Sequence, residues 1–177
     1  MSLPTFGMIA EARINPIPFR LRVLRAVSAK IEDVNPLNGY HFDLRGKCFR
    51  GRVRFDDNDP IPMISILEAP IPQEVIGSFA DNNHSAGPWE LLIQGFASDD
   101  RINPSDQAHH MMAEVKSILV KEKMRDRGND LFGMKNRIFE MAIGQGSVRP
   151  PDDTTEEAFF WLTLTLKITE DLSKPYE

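Results

Sequence analysis

Apolar and polar positions recur along this chain with two periods, and the changes of period mark its elements. From Pro18 to about Val34, Leu24, Val27, Ile31 and Val34 recur at spacings of three and four, which predicts an amphipathic helix. Pro18 can open it at no cost, because a first-turn N–H has no helical acceptor. Asn35-Pro36-Leu37-Asn38-Gly39 then stops it with turn residues. From Lys47 the period falls to two. Phe49, Gly51, Val53 and Phe55 alternate with Arg50, Arg52 and Arg54, a strand with one apolar and one basic face. The acidic turn Asp56-Asp57-Asn58-Asp59-Pro60 follows. A second strand, Ile61 to Ala69, carries Met63, Ile64, Ile66 and Leu67 on both sides, as burial on two faces requires. The stretch from Lys47 to Gln73 therefore predicts a β-hairpin.

Pro70 and Pro72 end that strand, and residues 70–88 form a long connection closing on a polar tract. Trp89 to Ser98 predicts a central strand, with Trp89, Leu91, Ile93, Gly95 and Ala97 on one face and Leu92 and Phe96 on the other. Asp99-Asp100-Arg101 turns the chain. Asn103 is a suitable N-cap with Pro104 at the first helical position, and the helix runs to about Met124. Ala108, Met111, Met112, Val115, Ile118 and Leu119 make its buried stripe; Glu114, Lys116, Lys121, Glu122 and Lys123 make its charged outer side. Residues 125–136 connect to a strand from Arg137 to Ile143, favoured over a short helix by Gly144 and Gly146. The last strand, Phe159 to Thr169, sets Phe160, Leu162, Leu164, Leu166 and Ile168 against Thr163, Thr165 and Lys167. The elements predict an α+β fold: an antiparallel or mixed β-sheet with two main α-helices packed on one face. Residues 1–16 read as an N-terminal arm and residues 17–177 as a single α+β domain.

Bulk properties narrow the function. The 177 residues suffice for one sizeable core, and 41% hydrophobic with 27% charged residues is ordinary for a globular chain. A net charge of −5 gives no global field that favours nucleic acid. Apolar runs fall short of a membrane span, so no membrane partner is expected, and the first residues lack a signal peptide's basic-then-apolar order. The single cysteine, Cys48, leaves no internal disulfide and fits a reducing cytoplasm.

Candidate chemistry is sparse. His109 and His110 are adjacent, so on a helix they diverge by about 100° and do not chelate together. His110 and Glu114 have ligand spacing but lack a third member, so a metal-dependent hydrolase using His109, His110 and Glu114 has thin support. The Asp56–Asp59 cluster lacks the glycine and distal glutamate of a calcium loop, and Gly144-Gln145-Gly146 is too short to cradle a phosphate. Cys48, His41 and His84 have no evident catalytic partner. Arginines remain. Arg20, Arg22, Arg25, Arg50, Arg52 and Arg54 would suit a nucleic-acid-binding module, although a solvated helix face is the plainer reading of the first three. Arg50, Arg52 and Arg54 on one strand face would repel one another at about 7 Å and need acids opposite. Asp56, Asp57, Asp59, Asp99 and Asp100 are candidates for them, which makes these eight residues a candidate interface between subunits or with a partner; a plain exposed strand face is an equal reading.

Three segments carry a family resemblance: FRGRVRFDDNDPIPMISILEAP, PWELLIQGFASDDRINPSDQAHHMMAEVKSIL and VRPPDDTTEEAFFWLTLTLKITEDLSKPY. Together, over roughly residues 20–177, they resemble the tail terminator or tail completion proteins of tailed bacteriophages. The resemblance implies a structural virion protein of the tail and neck region, assembled in the host cytoplasm. It would form a homo-hexameric ring at the head-proximal end of the tail, stop tail-tube polymerisation and join the tail to the head connector. Its partners would be further copies of itself, the tail-tube protein and a connector or neck protein, with genomic DNA passing through the lumen; neither catalysis nor a cofactor is implied. Another neck or head-completion protein is the nearest alternative.

Overall fold

The computed structural model describes residues 16–54, 58–69, 83–98, 100–152 and 156–176. Its elements are α1 (Phe19–Glu32), β1 (Cys48–Arg50), β2 (Met63–Glu68), β3 (His84–Ala97), α2 (Asp106–Met124), β4 (Ile138–Ile143), β5 (Ser147–Arg149) and β6 (Ala158–Asp171). The sheet runs β1-β2-β3-β6-β4, with β5 following β4 along the same side of β6. Among the described residues only β1 and β2 are parallel; every other pairing is antiparallel. The α+β expectation holds: the sheet is mixed and both helices cover one face.

Each element forms for a local reason. In α1, Phe19, Val23, Val27 and Ile31 recur every fourth residue and are buried. The helix begins one residue after Pro18, whose carbonyl accepts the Arg22 N–H at 3.0 Å. In α2, Ala108, Met111, Val115, Ile118 and Leu119 turn inward as their spacing requires. Its first turn lies slightly further along than Asn103 and Pro104 suggested, since Ser105 precedes the helix at Asp106. Along β6, Phe160, Leu162, Leu164, Leu166 and Ile168 bury toward the helices, while Thr163 and Thr165 are half-buried on the other side and Lys167 is exposed there. The same alternation in β3 sends Trp89, Leu91, Ile93 and Ala97 into the main core. A smaller cluster, Met63, Phe96 and Phe159 with Phe49 and Ile61 packed against it, sits on the helix-free face.

The predicted hairpin is not one. β1 and β2 run parallel, with Cys48 opposite Ile64 and Arg50 opposite Ile66. The reason lies at Gly51, whose φ of +68° is left-handed backbone that a side chain disfavours. The strand stops there after three residues. The chain then crosses the helix-free face, where the Arg52 carbonyl accepts the Ser65 hydroxyl at 2.6 Å. A parallel return needs about a dozen residues rather than a tight turn, and residues 51–62 provide them. β2 is shorter than Ile61–Ala69, but its burial on both faces is as expected: Met63, Ile64, Ser65 and Ile66 are all buried.

Other boundaries differ too. β3 begins at His84, inside the stretch expected to be a connection; residues 70–82 of that stretch lie outside the described residues. Pro88 is tolerated in the strand because β2, whose last pair is Glu68 with Leu91, has already ended beside it. β5 was not anticipated, while β4 matches the strand expected from Arg137 to Ile143. Glu122, expected on the outer side of α2, is 4% exposed. Its carboxylate accepts hydrogen bonds from Arg125 and, at 2.7 Å, from the Phe132 N–H; Lys30 of α1 stands 3.7 Å away. Glu114 also works inward, accepting the N–H groups of His41 and Phe42 and so fastening the segment after α1 to α2. The expected arm, residues 1–16, lies outside the described residues except for its last position.

Candidate interaction surface

The arginine row dissolves with the hairpin. Arg50 is the last residue of β1, and Arg52 and Arg54 follow in irregular backbone. Arg50 and Arg54 are exposed. Arg52 instead pairs with Asp59 of its own crossover and lies over the Phe49 ring, 4.5 Å from its centroid. One candidate cation and one candidate anion therefore neutralise each other within the chain, and the pair roofs the small cluster on the helix-free face. Asp100 accepts the Ile102 N–H at 2.7 Å, a local turn bond. Asp56, Asp57 and Asp99 lie outside the described residues.

This arrangement separates the three arginines experimentally. Arg52→Glu is expected to destabilise the folded chain by about 2 kcal/mol, because it leaves the nearly buried Asp59 carboxylate facing a like charge. Arg50→Glu and Arg54→Glu are expected to leave the melting temperature within error, as exposed charges do. Thermal unfolding of the three variants checks this, and equal losses would contradict the pairing.

Two of the three arginines of α1 are also engaged. Arg20 pairs with Glu170 of β6 at 2.8 Å and lies 5.2 Å from the Trp89 ring centroid. Arg22 lies over the Phe19 ring at 5.9 Å. The Arg20 contacts clamp the start of α1 to the sheet, and the Phe19 N–H, donating to the Pro175 carbonyl, ties it to the segment after β6. Arg25 is exposed.

Candidate catalytic groups are not brought together. Burial pushes the Cys48 thiol up to about 12, so the nucleophilic thiolate is not populated near neutral pH. Alkylation of native protein at pH 8 should accordingly be far slower than in urea; equal rates would place the thiol at the surface. His109 and His110 are exposed on α2, and Glu114 is committed to backbone N–H groups. Among the described residues no group of three His, Cys, Asp or Glu side chains could hold a metal ion, and no helix is long and apolar enough to cross a membrane.

What the described residues present instead is an incompletely covered sheet. The crossover roofs the β1–β2 end of the helix-free face. Beyond it, Trp161 stands 39% exposed beside Phe159, their ring centroids 5.5 Å apart. Leu92, Gln94, Thr163 and Thr165 continue that face half-buried. On the strand beyond β6, Phe139 sits 62% exposed where a bulge breaks the register of β4 with β6. Neighbouring Glu140 and Lys167 form an exposed pair at 2.5 Å. Sequence reasoning missed this surface. Its signal was Trp161, an indole among threonines on the wetter side of an otherwise regular strand.

A scan against protein-family models gives no match for this chain, and a search of curated proteins also gives none.

Proposed function

We propose that this chain is a structural subunit of a tailed-bacteriophage tail, a tail terminator that closes into a hexameric ring at the head-proximal end of the tail tube and joins it to the head connector. The supporting observation is the one-sided cover of the sheet. Both helices protect one face, while the opposite face and the adjoining strand present Trp161 and Phe139 to solvent. Exposed aromatic side chains on a half-covered sheet support the reading of a surface that meets protein. A ring closes by heterologous contacts, one surface against a different one on the next copy. The particular assembly rests on the resemblance of the three segments. The net charge of −5 suits a subunit whose lumen must let DNA pass.

Mass photometry of the purified protein, alone and mixed with tail-tube and connector proteins, tests the reading. The expected particle has six times the 20.1 kDa subunit mass. A strict monomer under every condition would overturn it. Phe139→Asp is expected to abolish the assembled species while leaving the monomer's melting temperature nearly unchanged, since the ring is exposed. Equal loss of both would assign Phe139 to the fold rather than to the interface.

A further inference from the structure

We propose that the loop between α2 and β4 is a contact surface for the phosphate backbone of duplex DNA, with Arg127, Lys135 and the adjacent Lys123 as its cations. The chain is acidic overall, but not here. From Lys121 to Arg137 there are six cations against three anions, a local +3 on a chain of net −5. Of the six, Arg125 is committed to Glu122, Lys121 to the Tyr40 hydroxyl at 2.7 Å, and Arg137 to the Phe19 ring at 3.8 Å. Lys123, Arg127 and Lys135 are exposed and form no ion pair within 4 Å among the described residues, although the Lys123 charge helps, after Lys167, to hold the Glu140 carboxyl low.

The backbone that carries them is held in an unusual shape. Arg127, Phe132, Lys135 and Asn136 have φ of 54°, 55°, 45° and 62°. Left-handed backbone costs a non-glycine residue on the order of 1 kcal/mol, and it persists only where surrounding contacts impose it. Those contacts are present. Glu122 accepts the Phe132 N–H at 2.7 Å, Arg125 donates to the Asp130 carbonyl at 2.5 Å, and the Lys135 N–H donates to the Asp130 carboxylate at 2.8 Å. The loop is thus pinned at both ends and in the middle, and its free cations project from a fixed frame.

The occupant follows from what the loop exposes. Between Arg125 and Arg137 the large apolar side chains turn inward, Leu131 and Phe132 buried and Met134 half-buried, so the loop itself offers no exposed aromatic or aliphatic anchor; Met124, 72% exposed, stands at its edge. Asn129 and Asn136 are exposed beside the cations. Fixed cations with neutral polar donors suit phosphate oxygens, which position a duplex without reading its sequence. The inference uses none of the ring's geometry, so it can fail while the ring stands, and the reverse.

Fluorescence anisotropy with a labelled duplex of arbitrary sequence, about 30 base pairs long, tests it. Three phosphate contacts predict a slope near −2.7 in log affinity against log salt, hence about a 40-fold loss between about 50 and 200 mM salt. The double variant Arg127→Gln, Lys135→Gln should reduce that slope to about −0.9 and weaken binding, with the melting temperature unchanged. The control pair Arg25→Gln, Arg54→Gln, which removes as many exposed cations elsewhere, should bind like the parent. If the glutamine pair lowers the melting temperature, the charge-keeping pair Arg127→Lys, Lys135→Arg decides: retained binding supports the surface and lost binding overturns it. The proposal is also overturned if the parent protein does not bind at about 50 mM salt, if the control pair loses as much affinity as the loop pair, or if the loop pair loses ring assembly but keeps DNA binding.

Discussion

Replacing Glu122 by alanine is expected to lower the unfolding free energy by about 3–5 kcal/mol, the range found when one partner of a buried ion pair is removed. The cost has three sources. The Phe132 N–H loses its acceptor inside the protein. Arg125 and Lys30 lose the anion between them. The left-handed residues from Arg127 to Asn136 lose the contact that ties their loop to α2. Denaturant unfolding at pH 7 measures the difference, and a change below about 1 kcal/mol would show that the carboxylate is not a keystone of the loop.

A pH series gives the same residue a second signature. Burial pushes the Glu122 carboxyl up, but the Arg125 hydrogen bonds, the Phe132 N–H and Lys30 outweigh it and hold the group below its ordinary 4.5. Folding therefore releases a proton that the unfolded chain would bind in that range. The stabilisation is fully present above 4.5 and is lost as pH falls through the lower folded value. Parent and Glu122→Ala curves should run apart at neutral pH and approach one another in acid.

The second large effect is expected at Gly95. In the register of β3 with β6, Gly95 lies opposite Phe160, and a Cβ built on Gly95 would overlap the phenyl ring. Phe160 is fully buried among the core residues beneath both helices, so the ring has no free volume to enter. Gly95→Ala should therefore destabilise by about 3 kcal/mol, at the upper end of overpacking costs. The double variant Gly95→Ala, Phe160→Leu should recover part of the loss. If the single variant is neutral, the ring is not confined as the packing implies.

Much of this fold was legible in the residues, and the exceptions share a cause. β6 and the second half of β3 could be read directly, because a strand with one dry and one wetter face writes its period into the chain. The stripe of α2 could be read for the same reason. Glu122 shows where this fails. Its spacing from Ile118 and Leu119 places it on the inner face, but a carboxylate suggests the outer one, and the partners that make burial affordable come from Lys30, Arg125 and the Phe132 backbone. The direction of β1 depended on one left-handed glycine and a crossover, neither of which has a period. β5, with three residues, is too short to show one. The candidate interface was legible only as residue types. That Arg52 would turn to Asp59, while Arg50 and Arg54 stayed outside, depends on how the chain after Gly51 lies over the sheet.

The pairing of β3 with β6 has a kinetic consequence. It joins positions from 61 apart, Ala97 with Ala158, to 87 apart, His84 with Asp171. The middle of the sheet thus depends on closing very long loops before any reward from packing is collected, the topology of a slow folder. While the polypeptide is still emerging from the ribosome, strands β1 to β4 lack the partner at their centre, and their apolar edges wait on residues 158–171. For the ring proposed above, that order matters: an unfinished subunit would offer no completed sheet to a neighbour, so assembly would begin only from finished chains.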